Sequence, residues 1–222
     1  MFPLRDSEQR LTTPFVTVGL IVVNLLAFLY ELSLGDFELH HFLMVWGTVP
    51  NDFQFFSLLS SMFLHGGWMH VLGNVWFLWV FGDNVEDVLG SRQYLLFYLL
   101  CGLAGGLAHV FFNSESAVPA IGASGAISGV MGAYLIRFPR ARVHTLLFFF
   151  VFATTIDVPA VLMIGYWFVV QLFSGFGQLA QASPQGGGTA WFAHIGGFVA
   201  GMVLIRVLPT RPSWRVRQES EW

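Results

Sequence analysis

Charged side chains, lysine and cysteine are all scarce in this sequence. Of its 222 residues only 10% are charged, all ten basic residues are arginine, and there is one cysteine. Soluble domains carry roughly 25% charged residues, so an ordinary water-soluble fold is excluded. The single Cys101 excludes an intramolecular disulfide framework and a cysteine-rich zinc site. The formal net charge of −3 offers no basic surface, so we expect no nucleic-acid partner.

Apolar residues take the place of charge. They make up 55% of the chain, whose mean hydropathy is +0.67, so the solvent must be largely lipid. Apolar runs bounded by Gly, Pro, Asn or charge predict six spanning helices, at about 15–34, 56–81, 94–112, 124–136, 159–179 and 191–208. The fourth run is shorter than the roughly 20 residues that a membrane crossing needs, so it must begin inside the membrane.

The arginines predict the orientation. When the N-terminus is placed in the cytoplasm, six spans put every arginine on the cytoplasmic side, as the positive-inside rule requires. Glu31 then falls on the outer side. We therefore expect a cytoplasmic N-terminal segment at 1–13, a membrane domain at 14–208 and a cytoplasmic tail at 209–222. The arginines concerned are Arg5, Arg10, Arg92, Arg137, Arg140, Arg142, Arg206, Arg211, Arg215 and Arg217.

Two stretches do not fit a plain helical bundle. Residues 37–56 are rich in aromatics and His but are broken by Gly47 and Pro50, which indicates a structured loop in the outer interface. Residues 143–158 follow an arginine cluster and precede Pro159, which favours an interfacial segment on the cytoplasmic side. The absence of an apparent internal repeat weakens a transporter built from inverted halves.

Polar residues inside apolar spans are costly and therefore informative. His70 and Asn74 lie four apart on one face of the second span, Ser124 opens the fourth, and His194 lies in the sixth. Counted at about 1.5 Å per residue from the inner charged boundary, His70, Ser124 and His194 lie roughly 18–20 Å up. That depth is about 10 Å below the outer face of a core about 30 Å thick. We expect the three groups to share one layer.

Chemistry favours hydrolysis in that layer. A serine hydroxyl needs a neighbouring base, usually a neutral imidazole, to become a nucleophile, and Ser124 and His194 suit those roles. The Asn74 amide, the His70 ring and the Ser124 amide N–H can serve as oxyanion donors. No carboxylate is predicted at this depth, so the residues predict a Ser-His dyad. We expect no cofactor and no metal.

Each group also has a plainer interpretation. A Gly-Ala-Ser-Gly stretch is more often a close-packing motif than a nucleophile. His194, His70 and Asn74 taken singly can be hydrogen-bonding links between helices, and His65 is more simply structural or interfacial. A metal site at His65, His70 and His194 is least favoured, because no acidic or cysteine ligand joins them. The combination at matching depth favours the catalytic hypothesis, because packing alone does not require it.

These residues resemble the rhomboid family of intramembrane serine proteases, over about residues 14–208. The resemblance rests on the order of several motifs along the spans. They are His70-x-x-x-Asn74, Gly122-x-Ser124-Gly125, Ala193-His194-x-x-Gly197-x-x-x-Gly201, Phe63-Leu64-His65-Gly66, Gly82-x-x-x-Glu86-x-x-x-Gly90 and Pro159-Ala160.

The resemblance implies an all-α membrane protein, a six-transmembrane-helix bundle with a short central fourth helix. It makes Ser124 the nucleophile, His194 the general base, and His70 and Asn74 the oxyanion-binding side chains. The implied partners are membrane lipids and single-pass transmembrane protein substrates, cut near the outer end of their helix. The glycine-rich segment 183–189 is expected to be a mobile cap.

The chain departs from the family at two places. Many members carry an aromatic four residues after the nucleophile, against the catalytic imidazole, where this chain has Ser128. The sequence therefore leaves open how the His194 ring is held. The first loop often bears Trp-Arg in the family, and Phe53-Gln54 stands there here.

Two other functions stay open at this point. One is a catalytically silent rhomboid-like protein that binds transmembrane clients, although such relatives usually lack the Ser or the His. The other is a channel or transporter whose polar layer binds a small solute. The compact form, without an added span or targeting peptide, leads us to expect a prokaryotic cytoplasmic membrane.

Overall fold

A computed structural model describes residues 2–149, 152–180 and 190–211 of the chain. Within these residues the longer elements are helices, which begin and end close to the glycines, prolines and charges that bound the apolar runs. The helices are α1 (Phe15–Leu32), α2 (Asp36–Trp46), α3 (Ser57–Ser60), α4 (Trp68–Leu89), α5 (Ser91–Phe112), α6 (Ser124–Arg137), α7 (Ala160–Ala180) and α8 (Trp191–Val207).

The second predicted span is wrong at both ends. Helix α4 begins twelve residues later than expected, because Gly67 has a φ of 150° that L side chains rarely adopt. The residues before it form α3 and a short 3₁₀ turn, Ser61–Phe63. At the other end α4 continues past Phe81 to Gly90, whose φ of 78° ends the helix. The acidic residues that seemed to mark the membrane boundary therefore lie within the helix.

The segment 37–56, expected in the outer interface, is more regular than predicted. Its first part is helix α2, between Gly35 and Gly47, none of whose residues is buried. A 3₁₀ turn at Pro50–Asp52 follows. The eleven residues of α2 contain neither Gly nor Pro, so nothing in that stretch interrupts a helix.

The segment 143–158, expected to be interfacial, contains two paired β-strands, so the expectation of an entirely α-helical chain needs correction. Strands β2 (Arg142–Phe149) and β3 (Phe152–Pro159) pair antiparallel, and β1 (Phe2–Asp6) adds to the other edge of β2. The carboxylate of Asp6 accepts hydrogen bonds from Tyr134 Oη and Asn84 Nδ2, both at 2.6 Å. These bonds attach the sheet to α6 and α4.

The buried carboxylate of Glu86 in α4 is surrounded by hydrogen-bond donors from other helices. It accepts the backbone N–H groups of Val16 and Thr17 at 3.0 and 2.8 Å, and the hydroxyls of Thr17 and Ser91 at 2.8 and 2.6 Å. The first N–H groups of a helix lack intrahelical acceptors, so Glu86 caps α1 from a neighbouring helix. One side chain thus joins the starts of α1 and α5 to α4.

Helix α6 is the centre of the molecule. Its residues from Gly125 to Tyr134 are all buried, and it packs against α4, α5, α7 and α8. Small residues permit this density, because they let helix backbones approach closely. A Cβ at Gly197 would overlap the carbonyl oxygen of Gly125, and one at Gly201 would overlap the backbone of Gly129. The α6–α8 contact is therefore made backbone to backbone.

Gly201→Ala is expected to destabilise the protein by roughly 1–3 kcal/mol, as overpacking of a tight contact does. The added methyl group has to push α8 away from the backbone of α6. Thermal unfolding in detergent micelles measures the effect. Gly19→Ala is the matched control, because a Cβ there meets nothing within 4 Å, and a Gly201→Ala protein as stable as this control would contradict the prediction.

The surface of the helical part is apolar. Large hydrophobic side chains such as Phe15, Phe111, Leu162 and Phe173 are mostly exposed, at 63–77%. Among the described residues, α1 and α5 are long and apolar enough to cross a membrane by length and composition, and the apolar stretches of α7 (Ala160–Phe173) and α8 are shorter.

Candidate functional site

Ser124 and His194 meet at the centre of the fold. Ser124 is the first residue of α6, and His194 lies in the first turn of α8. The close α6–α8 packing brings Ser124 Oγ to 2.7 Å from His194 Nε2, which is hydrogen-bond distance. A serine hydroxyl in contact with an imidazole nitrogen is the arrangement that general-base activation requires.

Helix α7 holds the other side of the imidazole. Gln171 Oε1 lies 2.6 Å from His194 Nδ1, and the Trp167 ring lies beside the imidazole with centroids 5.7 Å apart. Trp191 meets the ring edge-on at 6.3 Å. Sequence reasoning missed Gln171 and Trp167, although Gln171 is the one carboxamide or charged side chain in the apolar run 160–173. A polar side chain is costly to place in an apolar run, and this cost was the sequence feature that could have identified Gln171.

Ser128 does not take the place of the aromatic found in many relatives. Its hydroxyl donates to the carbonyl oxygen of Ser124 at 2.6 Å, which satisfies it within its own helix. The aromatic contact with His194 comes instead from α7 and from Trp191. The structure thereby answers how the ring is held, a point that the sequence left open.

His70 and Asn74 lie on one face of α4 and reach the backbone just before Ser124. An ideal Cβ at Gly122 would lie 2.6 Å from His70 Nε2 and 3.6 Å from Asn74 Nδ2. Gly122 also has a φ of 120°, a conformation that L side chains avoid. Only glycine therefore permits the loop to pass this close to both side chains and then enter α6.

Both side chains present hydrogen-bond donors. His70 Nδ1 accepts the N–H of Gly66 at 3.3 Å, so in the neutral ring the proton is on Nε2, the nitrogen that faces Gly122. Asn74 Nδ2 is buried without an acceptor among the described residues. A buried amide donor normally has a partner, so Asn74 is free to bind an acceptor that enters the site.

These side chains line one cavity of about 220 Å³. Ser124, His194, His70 and Asn74 all face it, together with apolar side chains from α4, α6 and α7. A second cavity of about 30 Å³ also has Ser124 in its wall and is lined in part by Thr48, Ser61 and His109. Its volume is enough for one water molecule.

The remaining sequence hypotheses have different outcomes. His65 is buried, and its backbone N–H donates to both carboxylate oxygens of Glu31 at 3.1 Å. Glu31, expected on the outer side, is buried, and its carboxyl oxygens accept this N–H group. No group of three His, Cys, Asp or Glu residues able to hold a metal occurs in the described part of the chain. The expected cap, 183–189, lies outside the described residues.

Comparison with known proteins identifies the family. The family model for the Rhomboid domain matches residues 52–211. The chain is 31% identical over 211 residues to Rhomboid protease GluP of Bacillus subtilis, which covers 89% of this chain and 37% of GluP. It is 32% identical over 169 residues to RHOMBOID-like protein 2 of Arabidopsis thaliana, which covers 76% of this chain and 47% of that protein.

A third relative is mitochondrial. Rhomboid protein 1 of Saccharomyces cerevisiae is 30% identical over 151 residues, which covers 66% of this chain and 40% of that protein. The chain spans less than half the length of these relatives. The matches nevertheless cover most of this chain, and the chain therefore belongs to the rhomboid family, a helical integral-membrane family that includes intramembrane serine proteases.

Proposed function

We propose that this protein is an intramembrane serine endopeptidase that uses Ser124 and His194 as a catalytic dyad. The observation that carries the proposal is the 2.7 Å contact between Ser124 Oγ and His194 Nε2, in a cavity that His70 and Asn74 also line. The relationship to a rhomboid protease supports the same activity. A silent client-binding protein would have no need of this arrangement.

Acylation follows from the positions of these atoms. Ser124 Oγ attacks the carbonyl carbon of the scissile bond while its proton passes to His194 Nε2. The charge that develops on the carbonyl oxygen is stabilised by His70 Nε2–H, Asn74 Nδ2–H and the Ser124 amide N–H at the start of α6. The tetrahedral intermediate then collapses, and His194 gives its proton to the leaving amine.

Deacylation needs one water molecule beside the acyl-enzyme. The cavity of about 30 Å³ next to Ser124 has the polar side chains of Ser61 and His109 in its wall, so it can supply that water. His194 Nε2 removes a proton from the water while the water oxygen attacks the acyl carbon. The tetrahedral intermediate then collapses, the bond from the acyl carbon to Ser124 Oγ breaks, and His194 returns the proton to Oγ as the acid is released.

The substrate class follows from the surroundings of the cavity. An apolar cavity of about 530 Å³ between α4 and α7 shares Phe77, Met131 and Trp167 with the catalytic cavity. An apolar chain can therefore approach Ser124 from the lipid side. We propose single-pass transmembrane proteins as substrates, cut where the helix unwinds, because the amide of an intact helix is hydrogen-bonded and sterically closed.

The membrane topology is part of the proposal. Six spans correspond to α1, α4, α5, α6, α7 and α8, with 1–13 and 209–222 as cytoplasmic termini. The arginines support this orientation, because the six-span arrangement places them all on one side. We propose that the protein resides in a prokaryotic cytoplasmic membrane. Its relatives include proteins from a bacterium, a plant and yeast mitochondria.

Covalent labelling of the purified protein in detergent tests the proposal. A fluorophosphonate reacts with an activated serine, so we expect a single adduct, mapped by mass spectrometry to Ser124. The same preparation in liposomes is expected to cleave a single-pass transmembrane substrate. A folded protein that neither takes up the reagent nor cleaves a panel of such substrates would be a client-binding protein or a solute channel, and the proposal would be wrong.

A further inference from the structure

Among the described side chains of α7, one carboxamide reaches the site, and it contacts the proposed base rather than the nucleophile. Gln171 is 5% exposed, and its carboxamide oxygen lies 2.6 Å from His194 Nδ1. Trp167, one turn earlier on the same face of α7, lies against the imidazole. The expected pair of Ser124 and His194 is therefore joined by a third polar side chain, Gln171, which was not predicted from the sequence.

The identity of the contacting atoms determines which imidazole nitrogen carries the proton. A carboxamide oxygen only accepts hydrogen bonds, so Nδ1 has to be the protonated nitrogen. A neutral imidazole has one N–H, which leaves the lone pair on Nε2, directed at Ser124 Oγ. In the opposite tautomer Nε2–H would face the serine, and His194 could not take its proton.

We propose that Gln171 is the positioning residue that fixes the tautomer and orientation of His194, as a neutral counterpart of the acid in a Ser-His-Asp triad. This inference rests on the proposed protease function. When Ser124 transfers its proton to Nε2, the imidazolium keeps Nδ1–H, which still donates to Gln171 Oε1. A carboxamide suits a lipid-embedded site, because an ionised carboxylate at that depth is costly to bury.

Gln171→Leu is expected to lower kcat by about 10²-fold, the smaller end of what a positioned base contributes, with KM nearly unchanged. The substitution removes the hydrogen-bond acceptor and replaces the carboxamide with an apolar side chain of similar size. Measurements use the full chain in liposomes with a transmembrane substrate. Phe173→Leu, on the same helix and 76% exposed, is the matched control and is expected to keep wild-type kcat.

Gln171→Glu separates positioning from packing. Its carboxyl group still accepts the Nδ1–H bond, so activity is expected to be retained at neutral and alkaline pH. A carboxylate also stabilises the imidazolium, so the acid limb of the rate–pH profile is expected to move up by about one pH unit or more. His70 of α4 and His109 of α5 are the other titratable groups facing His194 from neighbouring helices, and they are the same in every variant.

A spectroscopic readout does not depend on activity. In protein labelled with ¹⁵N in its histidine rings, His194 is expected to show a protonated Nδ1 and an unprotonated Nε2. In Gln171→Leu the two tautomers are expected to mix. The reverse tautomer in the wild-type protein would overturn the inference, whether or not either variant folds.

The kinetic outcomes distinguish this inference from the proposed function. Wild-type kcat in folded Gln171→Leu, or loss of activity at neutral pH in folded Gln171→Glu, would overturn the positioning role while the protease assignment stands. A wild-type protein that neither cleaves nor labels at Ser124 would overturn the protease function instead, and the ring spectrum would still report the tautomer.

Discussion

Ser124→Ala is expected to abolish cleavage of a transmembrane substrate, with a loss of about 10⁴-fold or more in kcat. Removal of the nucleophile leaves only binding and oxyanion stabilisation, which in serine proteases supply a small part of the rate enhancement. Cleavage is measured by following product formation in liposomes over hours. The variant should keep the thermal stability of the parent, because Ser124 Oγ contacts only the His194 side chain among the bonds described.

His194→Ala is expected to cause a similar loss, and the Ser124→Ala/His194→Ala double variant little more. Residues that act as one unit have non-additive effects, because either substitution alone already removes the activated nucleophile. Losses that multiply in the double variant would show that the two groups act independently, contrary to a dyad.

The neighbouring serine provides the control. Ser128 lies one turn along α6, and its hydroxyl donates to the backbone of Ser124 instead of facing a base. Ser128→Ala is therefore expected to keep the fluorophosphonate adduct, whereas Ser124→Ala loses it. Full cleavage by Ser124→Ala, or transfer of the label to Ser128, would remove Ser124 from its proposed role.

The second large effect on kcat is expected when the proposed oxyanion donors are substituted. His70→Ala and Asn74→Ala are each expected to lower kcat by roughly 10²–10³-fold, the loss typical of one donor, with a small change in KM. The reason is that each donor, His70 Nε2 and Asn74 Nδ2, binds charge that exists only in the transition state. Initial rates at saturating substrate measure the effect.

Two further variants sharpen this test. Asn74→Asp keeps the size and shape of the side chain but replaces the donor with an oxygen, so we expect a loss at least as large as that of Asn74→Ala. Leu72→Ala, on the same helix and 47% exposed, is the matched control with wild-type rate expected. Normal turnover in the His70→Ala/Asn74→Ala double variant would contradict an oxyanion role for both residues.

The order of the helices was predictable because their ends are marked locally. Gly, Pro and charged residues bound the apolar runs, and α6, α7 and α8 begin within one residue of their predicted positions. Candidate site residues were recognisable for a related reason. A Ser, His or Asn inside an apolar run is costly, so its presence indicates a contact even before its partner is known.

Several features that the sequence failed to predict depend on distant partners. Strand β1 pairs with β2, about 140 residues away along the chain. No pattern within either segment indicates that the two will pair. Glu31 was expected on the outer side, and Glu86 was noted only as part of a family motif. Each is buried and accepts N–H groups from another part of the chain, which only the assembled fold supplies.

By itself, the sequence determined the lipid environment, the extent of most helices and the short set of polar residues from which a site could be built. Composition and local periodicity suffice for these, because each depends on neighbouring residues. Only the tertiary structure decided which of these residues touch. It paired Ser124 with His194 through glycine-lined backbone contact, turned His70 and Asn74 toward Gly122, and placed Gln171 against the imidazole. Contacts between helices depend on how they pack together, and periodicity within one helix does not encode that.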